Sequence, residues 1–245
     1  MKTTLQLFII FIISTITAYC QPNLQKVSLA IMAEGKKLYQ SEMASWYGTD
    51  IFREKYLSKK ENTGGYFSYV DNAVAKCLFF SKAENPRVIL TIAFDSTYNL
   101  NTAIVDSVER DFSGKEKDLY LIRQATAQAL STDTLFRLYK HTNFNIIPLV
   151  ENGEKKVYVL TAPENNGVVL IGNDYLLTFD NQNKIANKKR LHKTLISIPF
   201  NGDPEAIGTH THLKEMDEYI TASDICTLML YGKFAKWKQH YVLSD

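Results

Sequence analysis

The stretch Ile207-Gly208-Thr209-His210-Thr211-His212, followed after a short gap by Thr221-Ala222-Ser223-Asp224-Ile225, is where this chain gathers metal-binding side chains at ligand spacing. An apolar-glycine run leading into His-x-His reads as the end of a buried strand, and a period of two puts both imidazoles on one face. Thr221 and Asp224 stand at the head of the apolar pattern Ile225, Leu228, Met229, so both also suit a helix cap. Two imidazoles and a carboxylate suit zinc, and three protein ligands leave one position for water. His210, His212 and Asp224 are therefore the expected metal ligands. A carboxylate in hydrogen-bond reach is needed to move a proton in such a site, and Glu164 is the candidate. It precedes the apolar strand Val168-Val169-Leu170-Ile171, expected to pair beside the His-x-His strand, whereas Glu205 and Glu215 read as solvated loop charges.

These residues resemble a family. A glycine-led strand ending in His-x-His, an aspartate at a helix start and an upstream Glu-x-x-Gly before an apolar strand are similar to the JAMM (MPN, or JAB) zinc metallopeptidases. The resemblance covers roughly residues 145–245. It implies that His210, His212 and Asp224 bind zinc, that Glu164 is the general base, and that Thr221 takes the place of a serine that helps to hold the oxyanion. It also implies hydrolysis of an amide or isopeptide bond in a peptide or protein conjugate. The chain departs from the family in having Thr209 alone between glycine and first histidine, and Leu213 after the second. Because a strand's faces alternate, a one-residue slip would turn a ligand away from the site. The whole chain also resembles exported proteins of Bacteroidota-type bacteria, which implies no activity. A second reading makes the same stretch only a strand-to-helix corner in a non-catalytic exported module that binds a cell-envelope component or a partner protein. His141, His192 and His240 have no partner at useful spacing and read as structural.

Outward from the motif, Ile146 to Val150, Asn152-Gly153 and Val157 to Leu160 signal a hairpin. Further strands are expected at Tyr175 to Phe179 and Leu195 to Phe200, a helix from about Ser223 to Trp237, and a last strand at Tyr241-Val242-Leu243. Earlier, Leu24, Val27, Ala30, Ile31 and Leu38 recur at helical spacing, and Ala44 to Asp50 breaks the pattern with Trp46, Tyr47 and Gly48. Both aromatics are expected to pack on a sheet, with pocket lining as the alternative. Hairpins follow around Asp71-Asn72 and between Val88 to Phe94 and Ala103 to Val108, then a helical pattern from Glu116 to Tyr139 with a break at Ser131-Thr132-Asp133. The class is α+β: an N-terminal helix with antiparallel hairpins and a helix, then a JAMM-like mixed sheet with flanking helices. The expected division is a leader at 1–20, an N-terminal region at 21–142, and a C-terminal domain at 143–245 that ends abruptly enough to suggest truncation.

Hydrophobic content of 45% and charged content of 22% are those of a globular protein, and a net charge of +2 gives no support to nucleic-acid binding. The short runs Lys59-Lys60 and Lys188-Lys189-Arg190 read as solvated turns. Lys2, the apolar run Leu5 to Ile16 and the small residue Ala18 read as a secretory signal peptide, with no later stretch long enough to span a membrane. This predicts export to a periplasm or the exterior, with lipidation at Cys20 as the minority alternative, since the bulky Tyr19 precedes it. Cys77 and Cys226 lie in apolar runs and read as buried free thiols rather than a disulfide.

Overall fold

Helix α1 (Leu24–Lys55) is the spine on which two sheets and the C-terminal helix pack. The computed structural model describes residues 24–200, 203, 207–212 and 219–244. The leader with Cys20, and Glu205 and Glu215, lie outside the described residues. After α1 and a short 3-10 turn come β1 (Thr63–Asp71), β2 (Val74–Ser81), β3 (Val88–Phe94) and β4 (Ile104–Asp106), an antiparallel sheet in that order. Helix α2 (Gly114–Thr132) leads to β5 (Thr142–Glu151), β6 (Glu154–Pro163), β7 (Val168–Gly172), β8 (Tyr175–Phe179), β9 (Ile185–Arg190) and β10 (Leu195–Pro199). Four of these form the antiparallel sheet β5-β6-β8-β9, while β7 pairs with β10. Finally β11 (Ile207–His212) lies parallel to β12 (Gln239–Ser244), with helix α3 (Ala222–Ala235) between them. The fold is α+β, as the alternation of hairpin and helical patterns predicts. No helix among the described residues is long and apolar enough to cross a membrane.

Where structure and pattern part, packing explains it. Helix α1 continues through Ala44 to Asp50, because Gly48 is a contact point rather than a breaker: a Cβ there would lie 2.5 Å from that of Cys77 in β2. One face of α1 buries Ala44, Ile51 and Phe52 against β2 and β3. Further back, Leu38 meets Ile147 and Leu149 of β5 and Cys226 of α3, and Ile122 of α2 joins Val157 and Val159 of β6. Two cores thus cross the boundary read at residue 143. The basic run Lys188-Lys189-Arg190 is strand rather than turn, lying in β9 at a sheet edge, where charged side chains protect the open backbone. Helix α2 stops at Thr132 because Asp133 is extended and its carboxylate accepts from the Leu135 amide. Cys77 and Cys226 are buried free thiols.

Candidate metal centre

Burial along β11 alternates residue by residue, with Gly208, His210 and His212 inward and Ile207, Thr209 and Thr211 outward. Strand period therefore keeps both imidazoles on one face, and no ligand is turned away by the short spacing after the glycine. Gly208 is required by contact: a Cβ there would fall 2.2 Å from Nδ1 of His240, which sits over it from β12. Helix α3 opens on a capping box, the Asp224 amide donating to Thr221 Oγ1 and the Thr221 amide to Asp224 Oδ2 at 2.8 Å. The Thr221 hydroxyl also donates to Oδ2 at 2.7 Å. The capping reading and the ligand reading of Asp224 thus meet in one side chain, the first on Oδ2 and the second on Oδ1.

The two histidines converge on that carboxylate. Nε2 of His212 lies 3.1 Å from Asp224 Oδ2, Nε2 of His210 lies 3.6 Å from Oδ1, and the two Nε2 atoms are 3.0 Å apart. A third imidazole joins them. His192, just past β9, places Nε2 at 3.5 Å from Asp224 Oδ1 and Nδ1 at 3.7 Å from Asp174 Oδ2. His192 and His240 are thus not the unpartnered structural residues that their sequence spacing implied: Nε2 of His240 lies 2.7 Å from Nδ1 of His210. Four of the chain's five histidines stand in one cluster.

Local backbone holds His192 there. Gly172, at φ 96°, ends β7 so close to the 192–194 segment that a Cβ would meet the Thr194 carbonyl at 2.4 Å. The Asn173 amide donates to that carbonyl and the Leu191 amide to the Asp174 carbonyl. Asp174 is fixed by the Thr161 amide at 3.0 Å.

Electrostatics follow from burial, full for Asp174, Asp224, His210 and His212 and partial for His192 and His240. Burial works against charge on Asp224, yet the imidazoles of His192, His210 and His212 hold its carboxyl well below its ordinary value. Burial, opposed by His192 and the Thr161 amide, pushes Asp174 up to about 7. Burial, together with His210, brings His240 down to about 4. Asp224 Oδ1 is buried and accepts no hydrogen bond. The 3.5 and 3.6 Å approaches of two imidazole nitrogens to it are long for hydrogen bonds.

Those separations have another reading. Donors of one tetrahedral zinc at ordinary bond lengths stand about 3.3 Å apart; His192 and His210 Nε2 stand 3.5 and 3.6 Å from Asp224 Oδ1, and His212 Nε2 stands 3.0 Å from His210 Nε2 and 3.1 Å from the other oxygen, Oδ2. His192, His212 and Asp224 offer donor atoms all within 4.8 Å of one another, and His210 shares edges with two of the three. The outward nitrogen of His210 meets His240 at 2.7 Å, the kind of outer contact that fixes an imidazole ligand's tautomer, while Asp174 Oδ2 stands 3.7 Å from His192 Nδ1, beyond a hydrogen bond. A crevice of about 30 Å³, room for a single water, opens beside His192, His210 and His212.

Glu164 is not brought to this cluster. It lies just past the end of β6, its amide donating to the His141 carbonyl at 3.1 Å. Its half-exposed carboxylate faces His141 at 3.8 Å. The strand that follows it, β7, pairs with β10, and β11 pairs with β12, so the expected pairing of β7 beside the histidine strand does not occur among the described residues. His192, Asp174 and His240 were missed because each is distant in sequence and carries no spacing pattern. The available signal was the turn Gly172-Asn173-Asp174 after an apolar strand, where a buried acid needs a partner.

No family model, no curated protein and no solved structure matches the chain.

Proposed function

We propose that this is an exported metal-binding protein whose centre is held by His192, His210, His212 and Asp224, with zinc the ion that such nitrogen-rich donors suit. The observation that carries the reading is the buried Asp224 Oδ1, without a hydrogen bond, faced by His192 Nε2 and His210 Nε2 at co-ligand distance. His240 orients His210 from outside, and Asp174 lies 3.7 Å from His192. Export rests on the basic start, apolar run and small residues of the leader. Four protein donors would make a closed set, the pattern of a structural centre.

The test is metal content of the purified mature protein. One equivalent of zinc is expected, falling to background in His210→Ala/His212→Ala and strongly reduced in His192→Ala. Zinc well below one equivalent after loading, or undiminished in the double variant, would sink the proposal.

A second reading, zinc-dependent hydrolysis of an amide or isopeptide bond, is favoured by the meeting of His210, His212, Asp224 and Thr221, the four residues that the JAMM resemblance pairs. Zinc would supply Lewis acidity for a carbonyl. On this reading Glu164, which stands beside His141, is the residue that the resemblance makes the general base. Hydrolysis of an isopeptide-linked fluorogenic peptide, assayed with zinc, decides it. Turnover lost in Glu164→Gln with zinc retained supports the enzyme, while turnover unchanged in that variant removes Glu164 from the mechanism. Absence of turnover leaves the closed metal centre as the function.

A further inference from the structure

Away from the histidines, a cavity of about 570 Å³ opens between α1, α2, β1 and β5. Its wall holds a guanidinium without a counter-charge. Arg123 of α2 buries Nε with no hydrogen-bond partner, and among the described residues the side chain forms no ion pair. The two acids on the same wall are engaged elsewhere. Glu42 accepts from the Asn145 amide group, and Asp50 lies on the exposed side, 3.6 Å from Arg53. Arg123 as a whole is half-buried and lines the cavity, so its terminal nitrogens are the part of the fork that an anion in the cavity can meet. Elsewhere on the sheet, Arg110 is doubly bonded to Glu116, which shows how this chain satisfies a guanidinium whose role is structural.

The rest of the wall says what kind of anion. Trp46, Tyr66 and Phe144 line it with aromatic surface, and Phe234 stands 56% exposed at the margin, packed near Trp46. Burial pushes Glu42 up to about 7, so it presents only part of a negative charge at neutral pH. The partial charge of Glu42 would repel a dianion such as phosphate more than a single carboxylate, while Asp50 is answered by Arg53 on the same rim. A second cavity of about 630 Å³ joins the first at Trp46, Asn145 and Phe234, and its polar edge carries Asn143 and Asn166. Both volumes fall within the range of small-molecule sites.

We propose that this double cavity binds an organic monocarboxylate, its carboxylate gripped by the Arg123 fork and its apolar body lying along Trp46 toward the second cavity. A planar guanidinium matches a carboxylate bidentately. The carboxylate could come from a free acid or from the C-terminal residue of a peptide.

The experiment is calorimetric or ligand-observed NMR titration of the mature protein. One arm uses hexanoate and phenylpropionate, a second N-acetyl-leucine and N-acetyl-phenylalanine, a third the carboxamides of all four, and a fourth inorganic phosphate. At least one acid is expected to bind at least tenfold more tightly than its amide, and the arm that contains it identifies the source. In Arg123→Gln the preference should vanish while thermal stability stays nearly unchanged, because a half-buried guanidinium with no ion pair among the described residues has been removed. If that variant does not fold, Arg123→Lys should keep the preference for acid over amide and weaken binding severalfold. No binding by any acid at millimolar concentration, equal binding of acid and amide, or phosphate binding as tightly as the acids would overturn the proposal.

Discussion

Two helices of this protein open on the same capping box with a buried acid at its third position, and the two acids have opposite surroundings. At the head of α2, Glu116 accepts from the Ser113 amide at 2.8 Å, from Tyr69 Oη at 2.7 Å and from both terminal nitrogens of Arg110 at 2.6 and 2.8 Å. Both oxygens are filled by fixed donors and the charge is answered by a cation. At the head of α3, the cap and the Thr221 hydroxyl fill only Asp224 Oδ2, while Oδ1 is left to imidazoles at 3.5 and 3.6 Å. The first arrangement is complete without a ligand and the second is not. Local sequence chemistry builds the same cap twice, and the tertiary neighbours decide whether the acid is structural or available.

The largest effect is expected where the network is complete. Glu116→Ala removes the acceptor of Arg110, Tyr69 and the Ser113 amide together. A loss of about 3 kcal/mol in denaturant unfolding follows from removing a buried acceptor from a partly exposed ion pair, a tyrosine and a cap. The pH dependence has a definite sign. Burial opposes the charge of Glu116, but Arg110, Tyr69 and the Ser113 amide bring its pKa from 4.5 down to about 2. Its stabilisation is therefore present above about pH 4.5 and is lost as pH falls toward 2, and Glu116→Gln should flatten that acid limb. A loss below 1 kcal/mol in Glu116→Ala would erase the contrast on which the comparison rests.

How far each site could be read from sequence follows the same division. Strand period alone placed His210 and His212 on one face, and the Thr221 to Asp224 spacing alone announced the cap. Both depend on neighbours within a few residues. His192, Asp174 and His240 reach the cluster through the turn at Gly172, the end of β9 and the parallel pairing of β11 with β12. These are non-local events that no window of sequence encodes. The Glu164 expectation depends on β7 lying beside the histidine strand, and β7 pairs instead with β10 while Glu164 stands at His141. Gly48 shows a related ambiguity, since a glycine that interrupts a helical pattern and one that admits a neighbouring strand look alike until Cys77 is found against it. The hairpins at Asp71-Asn72 and Asn152-Gly153 were legible because their turn residues take positive φ, and Asn72, Asn152 and Gly153 all do.

The incomplete network should respond to metal where the complete one does not. Zinc at about a hundredfold above its dissociation constant should add about 3 kcal/mol, a rise in melting temperature of roughly 6–12 °C for a chain of this size. A chelator should reverse it. The rise is expected to persist in Glu116→Gln and to vanish in His212→Ala, whose metal-free stability should fall by only about 1 kcal/mol. An equal rise in wild type and His212→Ala would place the metal elsewhere.

The finest discrimination comes from the two caps themselves. Ser113→Ala and Thr221→Ala each remove one side-chain acceptor at a helix start, so each should cost about 1 kcal/mol. Only Thr221 also donates to the carboxylate that faces the histidines. Losing that hydroxyl frees the Asp224 carboxylate to rotate, and zinc affinity should fall by about tenfold, the usual scale for an outer-shell partner of a ligand. Thr221→Ser keeps the hydroxyl and should restore affinity and most of the stability. Ser113→Ala should leave zinc binding unchanged. Equal zinc affinity in the two alanine variants would mean that Asp224 is held by its backbone and the histidines alone, and that Thr221 is a cap with no further part in the centre.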